Sequence, residues 1–325
     1  MSRILVTGAA GFIAYKVCEL LIEQGHTVIG VDNMNDAYDV RVKNWRLAQL
    51  NQLAGFSFIK LDICDLPALQ SVFESPQPFD AVINLAARAG VRASVENPWV
   101  YVDTNMTGTL NLLELCTRFA VPKFIMASTS SVYGADAPLP TTEEADSSHP
   151  LQSYAASKKG AEALCHAYHF LNKIDVTIFR YFTVYGPAGR PDMSMFRFTQ
   201  WIREGKPLQI NGSGEQTRGF TYVDDIAAGT ILGLKPMGFE IINLGGHETI
   251  SINAIIEHLE SMLGRKTARE YLPFHPADMM ANWADVSKAK KLLGWEPVVN
   301  LETGMQALVN WYLAERDWTS KIQTL

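Results

Sequence analysis

Short apolar runs alternate with amphipathic stretches along the first half of the chain. The runs Arg3–Thr7, Thr27–Asp32, Ser57–Leu61, Ala81–Leu85, Lys123–Ala127 and Val176–Arg180 are nearly continuous in apolar residues. Strands covered on both faces read this way, because neither face meets water. Between them, Phe12–Gln24, Leu66–Phe73, Val100–Phe119 and Tyr154–Leu171 are amphipathic or rich in Ala and Leu, and Gly25 fits the end of the first helix. Strand–helix alternation up to Arg180 predicts an α/β fold, a doubly wound parallel sheet of the Rossmann type.

After Arg180 the alternation breaks. Tyr185-Gly-Pro-Ala-Gly-Arg-Pro-Asp192 is loop chemistry. A helix over Met195–Glu204, a strand over Leu208–Ile210 and a turn over Asn211–Gly214 follow. A strand near Glu240–Leu244 and helices near Asn253–Leu263 and Ser287–Leu293 complete the pattern. Residues 1–180 are expected to form one domain, which also takes back part of 220–245. Residues 181–325 are expected to form a smaller C-terminal α/β lobe on the sheet's carboxyl edge.

Composition narrows the class. With 325 residues, 47% hydrophobic and 19% charged, the chain can bury a large core. A net charge of −6 gives no global attraction to nucleic acid or anionic membrane, and neither is expected as a partner. Cys18, Cys64, Cys116 and Cys165 have no metal-like spacing, so no metal is expected and they read as buried thiols in a reducing compartment. The chain runs straight into Ile4-Leu5-Val6, with no leader pattern and no apolar run of about 18 residues. A soluble cytoplasmic protein is expected.

Thr7-Gly8-Ala-Ala-Gly11-Phe-Ile-Ala14 follows the first strand and opens the first helix. Gly8 permits the tight turn, and Gly11 lets backbone approach a pyrophosphate at the helix N-terminus. Ala14 replaces the usual third glycine. Asp32 ends the second strand, where a carboxylate accepts ribose hydroxyls and repels a 2′-phosphate, which favours NAD over NADP. Asp62 and Ile63 fall where an adenine edge would lie, and Leu85-Ala86-Ala87 offers the small residues that close approach needs. Phe12, Ile13 and Tyr181 are counted with them as cofactor contacts.

Tyr154 and Lys158 lie four residues apart, one helical turn, so both side chains point the same way. A phenol loses its proton only near pH ~10, and a nearby ammonium lowers that value. The pair can therefore serve as a proton acceptor at neutral pH. Ala127-Ser-Thr-Ser-Ser131 ends the fifth strand, so its hydroxyls face the ligand crevice. Carbinol oxidation needs such a hydroxyl beside a phenolate and a nicotinamide.

At these residues the sequence resembles the extended short-chain dehydrogenase/reductases, and among them the nucleotide-sugar epimerases. The markers are Thr7-Gly8-x-x-Gly11, Asp32, Leu85-Ala-Ala87, Val132-Tyr133-Gly134, Tyr154-x-x-x-Lys158, Phe220-Thr-Tyr-Val-Asp-Asp225 and Trp283-Ala-Asp-Val-Ser-Lys288. Ala89-Gly-Val-Arg92, Asn97-Pro98, Arg180-Tyr-Phe-Thr-Val-Tyr-Gly-Pro187 and Gly189-Arg-Pro-Asp-Met193 are most similar to the UDP-glucuronate 4-epimerases. The resemblance implies tightly held NAD and a C4 epimerisation of a UDP-sugar through a 4-keto intermediate.

It implies roles residue by residue. Tyr154 is the general base and acid, Lys158 binds the nicotinamide ribose and lowers the phenol's pKa, and Thr129 bonds the reacting hydroxyl. Ser130, Ser131, Thr183, Arg190, Arg218 and Asp278 are expected substrate contacts, with Arg218 on the diphosphate. Related dehydratases and decarboxylases carry a carboxylate in the hydroxyl run, where this chain has Ser131. A UDP-glucose or UDP-N-acetylglucosamine epimerase is the nearer alternative; a UDP-glucuronate decarboxylase or a net oxidoreductase is a more distant one, and a non-catalytic scaffold is set against the intact Tyr154 and Lys158. His275 stands where related enzymes have an arginine, and Asn282 where they limit the C2 substituent. Arg88 and Arg92 fit either an anion contact or a structural ion pair. A homodimer is expected through Val100–Phe119 and Tyr154–Leu171.

Overall fold

The computed structural model describes residues 1–246, 248–274 and 278–324. Among those residues, seven strands form one parallel sheet. From edge to edge its order is Phe56–Lys60, Thr27–Asp32, Arg3–Thr7, Ala81–Asn84, Lys123–Thr129, Asp175–Tyr181 and Phe239–Leu244. The order reverses between Arg3–Thr7 and Ala81–Asn84, and a crevice opens at the strands' carboxyl ends there.

The sheet separates two apolar layers by simple alternation. Ile4 and Val6 face one side with Val17 and Leu21, while Leu5 faces the other with Val82, Leu112 and Phe124, all fully buried. Burying each such side chain contributes about 1.5–3 kcal/mol. The Rossmann reading of the sequence therefore holds, with strand ends moved by a residue or two.

Several helices depart from the sequence reading, Val223–Leu232 among them. The expected helix Val100–Phe119 is three pieces: Trp99–Val102, a π-helical turn over Asp103–Thr107, and Gly108–Arg118. Widened turns of this kind collect at functional sites. Helix Val40–Leu50 was not expected, because its buried positions include Lys43 and Arg46 and no apolar stripe marks them. Helix Leu301–Ala314 is likewise absent from the sequence reading, although Met305, Leu308, Val309 and Tyr312 form a helical stripe.

The chain leaves the sheet after Tyr181 and comes back to it. Strands Thr183–Tyr185, Thr217–Tyr222, Thr249–Ser251 and Ala281–Asn282 build a small second sheet, and Leu208–Asn211 pairs with Arg269–Leu272. Between them, helix Val223–Leu232 packs on helix Phe12–Glu23, and Phe239–Leu244 extends the large sheet beside Asp175–Tyr181. Among the described residues no helix is long and apolar enough to cross a membrane.

Candidate active site

One cavity of about 400 Å³ lies along the carboxyl ends of the strands. At one end is the glycine turn. Gly8 has φ +69°, and a Cβ there would lie 2.8 Å from the Ala86 backbone. Gly11 starts the helix Phe12–Glu23, whose first turn has no side-chain cap and no acidic residue. Its free N–H groups and dipole make an anion site. Phe12 and Ile13 line this end.

Beside the turn, Asp32 accepts from the Ala10 amide at 3.2 Å and the Met34 amide at 2.8 Å. Asn33 donates to Asp62 at 2.8 Å, and Ile63 lines the wall. Lys43, absent from the sequence reading, brings its ammonium within 3.6 Å of Asp32 and donates to Asn35 at 3.1 Å. It tempers the repulsion that Asp32 alone would exert on a 2′-phosphate. The floor between the two ends is Leu85, Ala86 and Ala87, with Tyr181 behind them donating or accepting at Thr230 over 2.8 Å. The bare helix terminus, the space that only Gly8 leaves and the Asp32 carboxylate together fit a dinucleotide.

At the other end the fifth strand and the turn after it bring up the hydroxyls. Thr129 caps a short turn over Ser130–Tyr133, accepting from the Ser131 amide at 3.2 Å. Tyr154 projects from helix Ser153–Asn172 onto it. Burial raises the phenol's pKa, and a hydrogen bond with Thr129 and the Arg190 charge pull it back. Lys158 is fully buried and donates to the Ala127 carbonyl at 2.7 Å. Burial lowers its pKa to about 8, against the charges of Cys165 and Glu162. Arg190 is thus one cation whose charge reaches the phenol, and Lys158 gives one of its three N–H groups to a backbone oxygen.

Arg190 reaches this point from the loop after Thr183–Tyr185. Asp192 clamps it through Nε at 3.1 Å and Nη2 at 2.5 Å. Burial disfavours the Arg190 charge, but Asp192 outweighs it and raises the pKa. Thr183, Ser130 and Ser131 line the same wall, and Asn282 donates to Ser130 at 2.9 Å. Arg218 donates to the Thr217 and Met279 carbonyls at 2.8 and 2.6 Å. Burial lowers its pKa against the pull of Asp278. Asp278 takes an ion pair from Arg92 at 2.6 Å, so Arg92 follows the ion-pair reading of the sequence. His275 lies outside the described residues.

Two supporting residues carried no sequence signal. Asn105 sits in the π-helical turn. Its side chain accepts from the Arg88 amide at 2.9 Å and donates to the Arg88 carbonyl and to Ser157. It therefore ties the loop after the fourth strand to the helix of Tyr154. Glu162 lies one turn beyond Lys158, accepting from Arg180 at 2.9 and 2.7 Å and from Ser128 at 2.6 Å.

The model for the NAD dependent epimerase/dehydratase family matches residues 4–245. The chain belongs to that family. It is 58% identical over 312 residues to a UDP-glucuronate 4-epimerase of Thermodesulfobacterium geofontis, covering 96% of each chain. Its fold is similar to a UDP-glucuronic acid 4-epimerase from Bacillus cereus solved with UDP-glucuronic acid and NAD. The TM-score is 0.89 and the identity 39%, over 96% of this chain and 99% of that one. A UDP-glucose 4-epimerase from Thermotoga maritima, solved with UDP-glucose, matches with TM-score 0.89 and 32% identity, over 97% of this chain and 99% of that one. In this family NAD is the cofactor, as the resemblance of the glycine turn and Asp32 implied.

Proposed function

We propose that this protein is an NAD-dependent isomerase that inverts C4 of a UDP-sugar, converting UDP-glucuronate to UDP-galacturonate. The observation that carries the reading is the meeting of Tyr154, Thr129 and Arg190 in the cavity that also holds the glycine turn. Gly8, Gly11, Asp32 and Lys158 would hold NAD tightly, and the bound nicotinamide would supply the reversible hydride transfer that inversion at C4 requires. Thr129 holds the C4 oxygen by hydrogen bond, and Tyr154 Oη takes its proton and later gives it back. Arg218 and Arg190 meet the diphosphate and the uronate carboxylate. With no carboxylate among Thr129, Ser130 and Ser131, the site has no acid positioned to drive elimination.

Incubating the enzyme with UDP-glucuronate and no added NAD, with products read by NMR, tests this. UDP-galacturonate is the expected product; a UDP-pentose as main product overturns the reading. The Arg190→Ala variant separates two roles. Loss of the cation beside Tyr154 slows uronate and neutral sugars alike, so recognition of the carboxylate is read in an additional loss of about tenfold on glucuronate, the size of one charged hydrogen bond. Equal losses on both sugars remove that role.

The same reading extends to assembly. Val95, Trp99, Val102, Phe170 and Leu171 leave large apolar side chains exposed on or beside the helices Trp99–Val102 and Ser153–Asn172. Pairing of two copies across this face covers them. Light scattering is expected to give twice the 36.1 kDa chain mass, and a monomer mass refutes the dimer. The four free thiols, three of them buried, suit a cytoplasmic setting. Fractionation of the native host, with the protein in the soluble cytoplasmic pool, checks that placement.

A further inference from the structure

Arg46 is fully buried, yet all its hydrogen bonds go to neutral oxygens. Nε and Nη2 donate to the Ala188 carbonyl at 2.9 and 2.7 Å, and Nη2 also donates to Gly189 at 3.2 Å. Nη1 donates to the Ala10 carbonyl at 2.9 Å and to the Tyr38 hydroxyl at 2.7 Å. These five bonds use every N–H of the guanidinium. A lysine has three donors on one atom and cannot span the same acceptors.

The acceptors belong to two parts of the site. Ala10 lies within the glycine turn, and its amide donates to the Asp32 carboxylate at 3.2 Å. Ala10 therefore has Asp32 on its amide and Arg46 on its carbonyl. Ala188 and Gly189 immediately precede Arg190. Ala188 is held at φ +51°, a left-handed conformation that a side chain adopts only where its surroundings impose it. Arg46 supplies that constraint from below. The same guanidinium lies near the rings of Phe12 and Tyr38, and Arg190 also lies over Tyr38, its guanidinium carbon 5.9 Å from the ring centre.

We propose that Arg46 is a positioning residue that seats the loop carrying Arg190 against the cofactor turn, so that one buried guanidinium sets both the turn and the charge beside Tyr154. The proposal rests on the catalytic role given to Tyr154 above. The groups acting on or packed against the Tyr154 phenol are Thr129 from the fifth strand, Tyr101 from helix Trp99–Val102, and Arg190 with its partner Asp192 from the loop, while Lys158, one turn along the same helix, donates to the Ala127 carbonyl. Arg88 acts on the neighbouring Tyr101. Of these, Arg190 is the cation whose position depends on Arg46.

The test is a titration of Tyr154 that needs no turnover. Phenolate absorbance is followed with pH in the NAD-bound protein, and the matching Tyr154→Phe background is subtracted. Arg46→Met is expected to shift the Tyr154 titration to higher pH by about one unit, since Arg190 loses its seat. Arg46→Lys is expected to shift it part of the way and serves alone if the Met variant does not fold. Both variants are also expected to release NAD more readily on dialysis. Leu50→Ala, a cavity in the same helix, is expected to lower stability and leave the titration unmoved. Titrations of both Arg46 variants that coincide with wild type overturn the proposal, as does an equal shift in Leu50→Ala. Because no sugar is involved, a failure of the epimerase reading shows up separately, as wild-type protein inactive on UDP-glucuronate.

Discussion

Replacing Tyr154 by phenylalanine is expected to lower kcat on UDP-glucuronate by about 10³-fold while the protein stays folded and keeps its NAD. The ring remains, so packing against Tyr101, 6.1 Å away edge-on, is preserved. What goes is the oxygen proposed above to take a proton from a hydroxyl held by Thr129, the side chain it bonds here. Positioned acid–base groups contribute about 10²–10⁴-fold. Neither neighbour replaces it. Thr129 is a far weaker base, and Lys158 is committed to the Ala127 carbonyl. The lost hydrogen bond to Thr129 costs only about 0.5–1.5 kcal/mol of stability. Steady-state rates beside urea unfolding curves check both halves. A variant within tenfold of wild-type kcat would rule out Tyr154 as the proton acceptor.

The largest stability effect is expected at Glu162. Its carboxylate, 3% exposed, meets Arg180, 2% exposed, through two hydrogen bonds, and Ser128 adds a third. Glu162→Leu removes the partner and leaves the Arg180 charge buried among neutral groups. Breaking a buried pair in this way costs about 3–5 kcal/mol. The cost carries a pH signature. Burial pushes the carboxyl up, but Arg180, Ser128 and Lys159 outweigh it and hold it below its ordinary 4.5. An unfolded chain therefore binds the proton first as pH falls. The pair's contribution is complete above the ordinary value and is lost as pH drops through the lower folded one. Acidification through that window weakens wild type more than the leucine variant, so their urea midpoints converge. Equal midpoints at neutral pH would show the pair to be neutral for stability.

What the sequence disclosed follows from how each residue is used. Strands such as Lys123–Thr129, buried along their whole length, announce themselves by an apolar run, here Phe124-Ile-Met-Ala127. Gly8 and Asp32 are legible because a tight turn and a ribose contact each admit few residue types. Helix Val40–Leu50 was hidden because Lys43 and Arg46 occupy its buried face and satisfy their charges with Asp32, Asn35 and backbone oxygens. Only the fold shows those partners. The break in Val100–Phe119 was hidden for a related reason. Asn105 turns inward to Arg88 and Ser157, contacts distant in the chain. Lys158 shows the limit of spacing arguments. Its position one turn from Tyr154 was readable, but not that its ammonium would donate to the Ala127 carbonyl or that the Arg190 charge would also reach the phenol.

The return of Phe239–Leu244 to the edge of the large sheet has a consequence for how such proteins diversify. A lobe appended after the sixth strand could be exchanged at one splice point. Here the excursion between Tyr181 and Phe239 is bracketed by two neighbouring strands of the same sheet. A chain cut after Tyr181 would bare a long, apolar strand edge of the kind that pairs with other chains. The cavity lining contributed by Thr183–Tyr185, the Arg190 loop and Thr217–Tyr222 is therefore varied by changing side chains in place. Inheritance of the substrate site is tied to inheritance of the nucleotide fold.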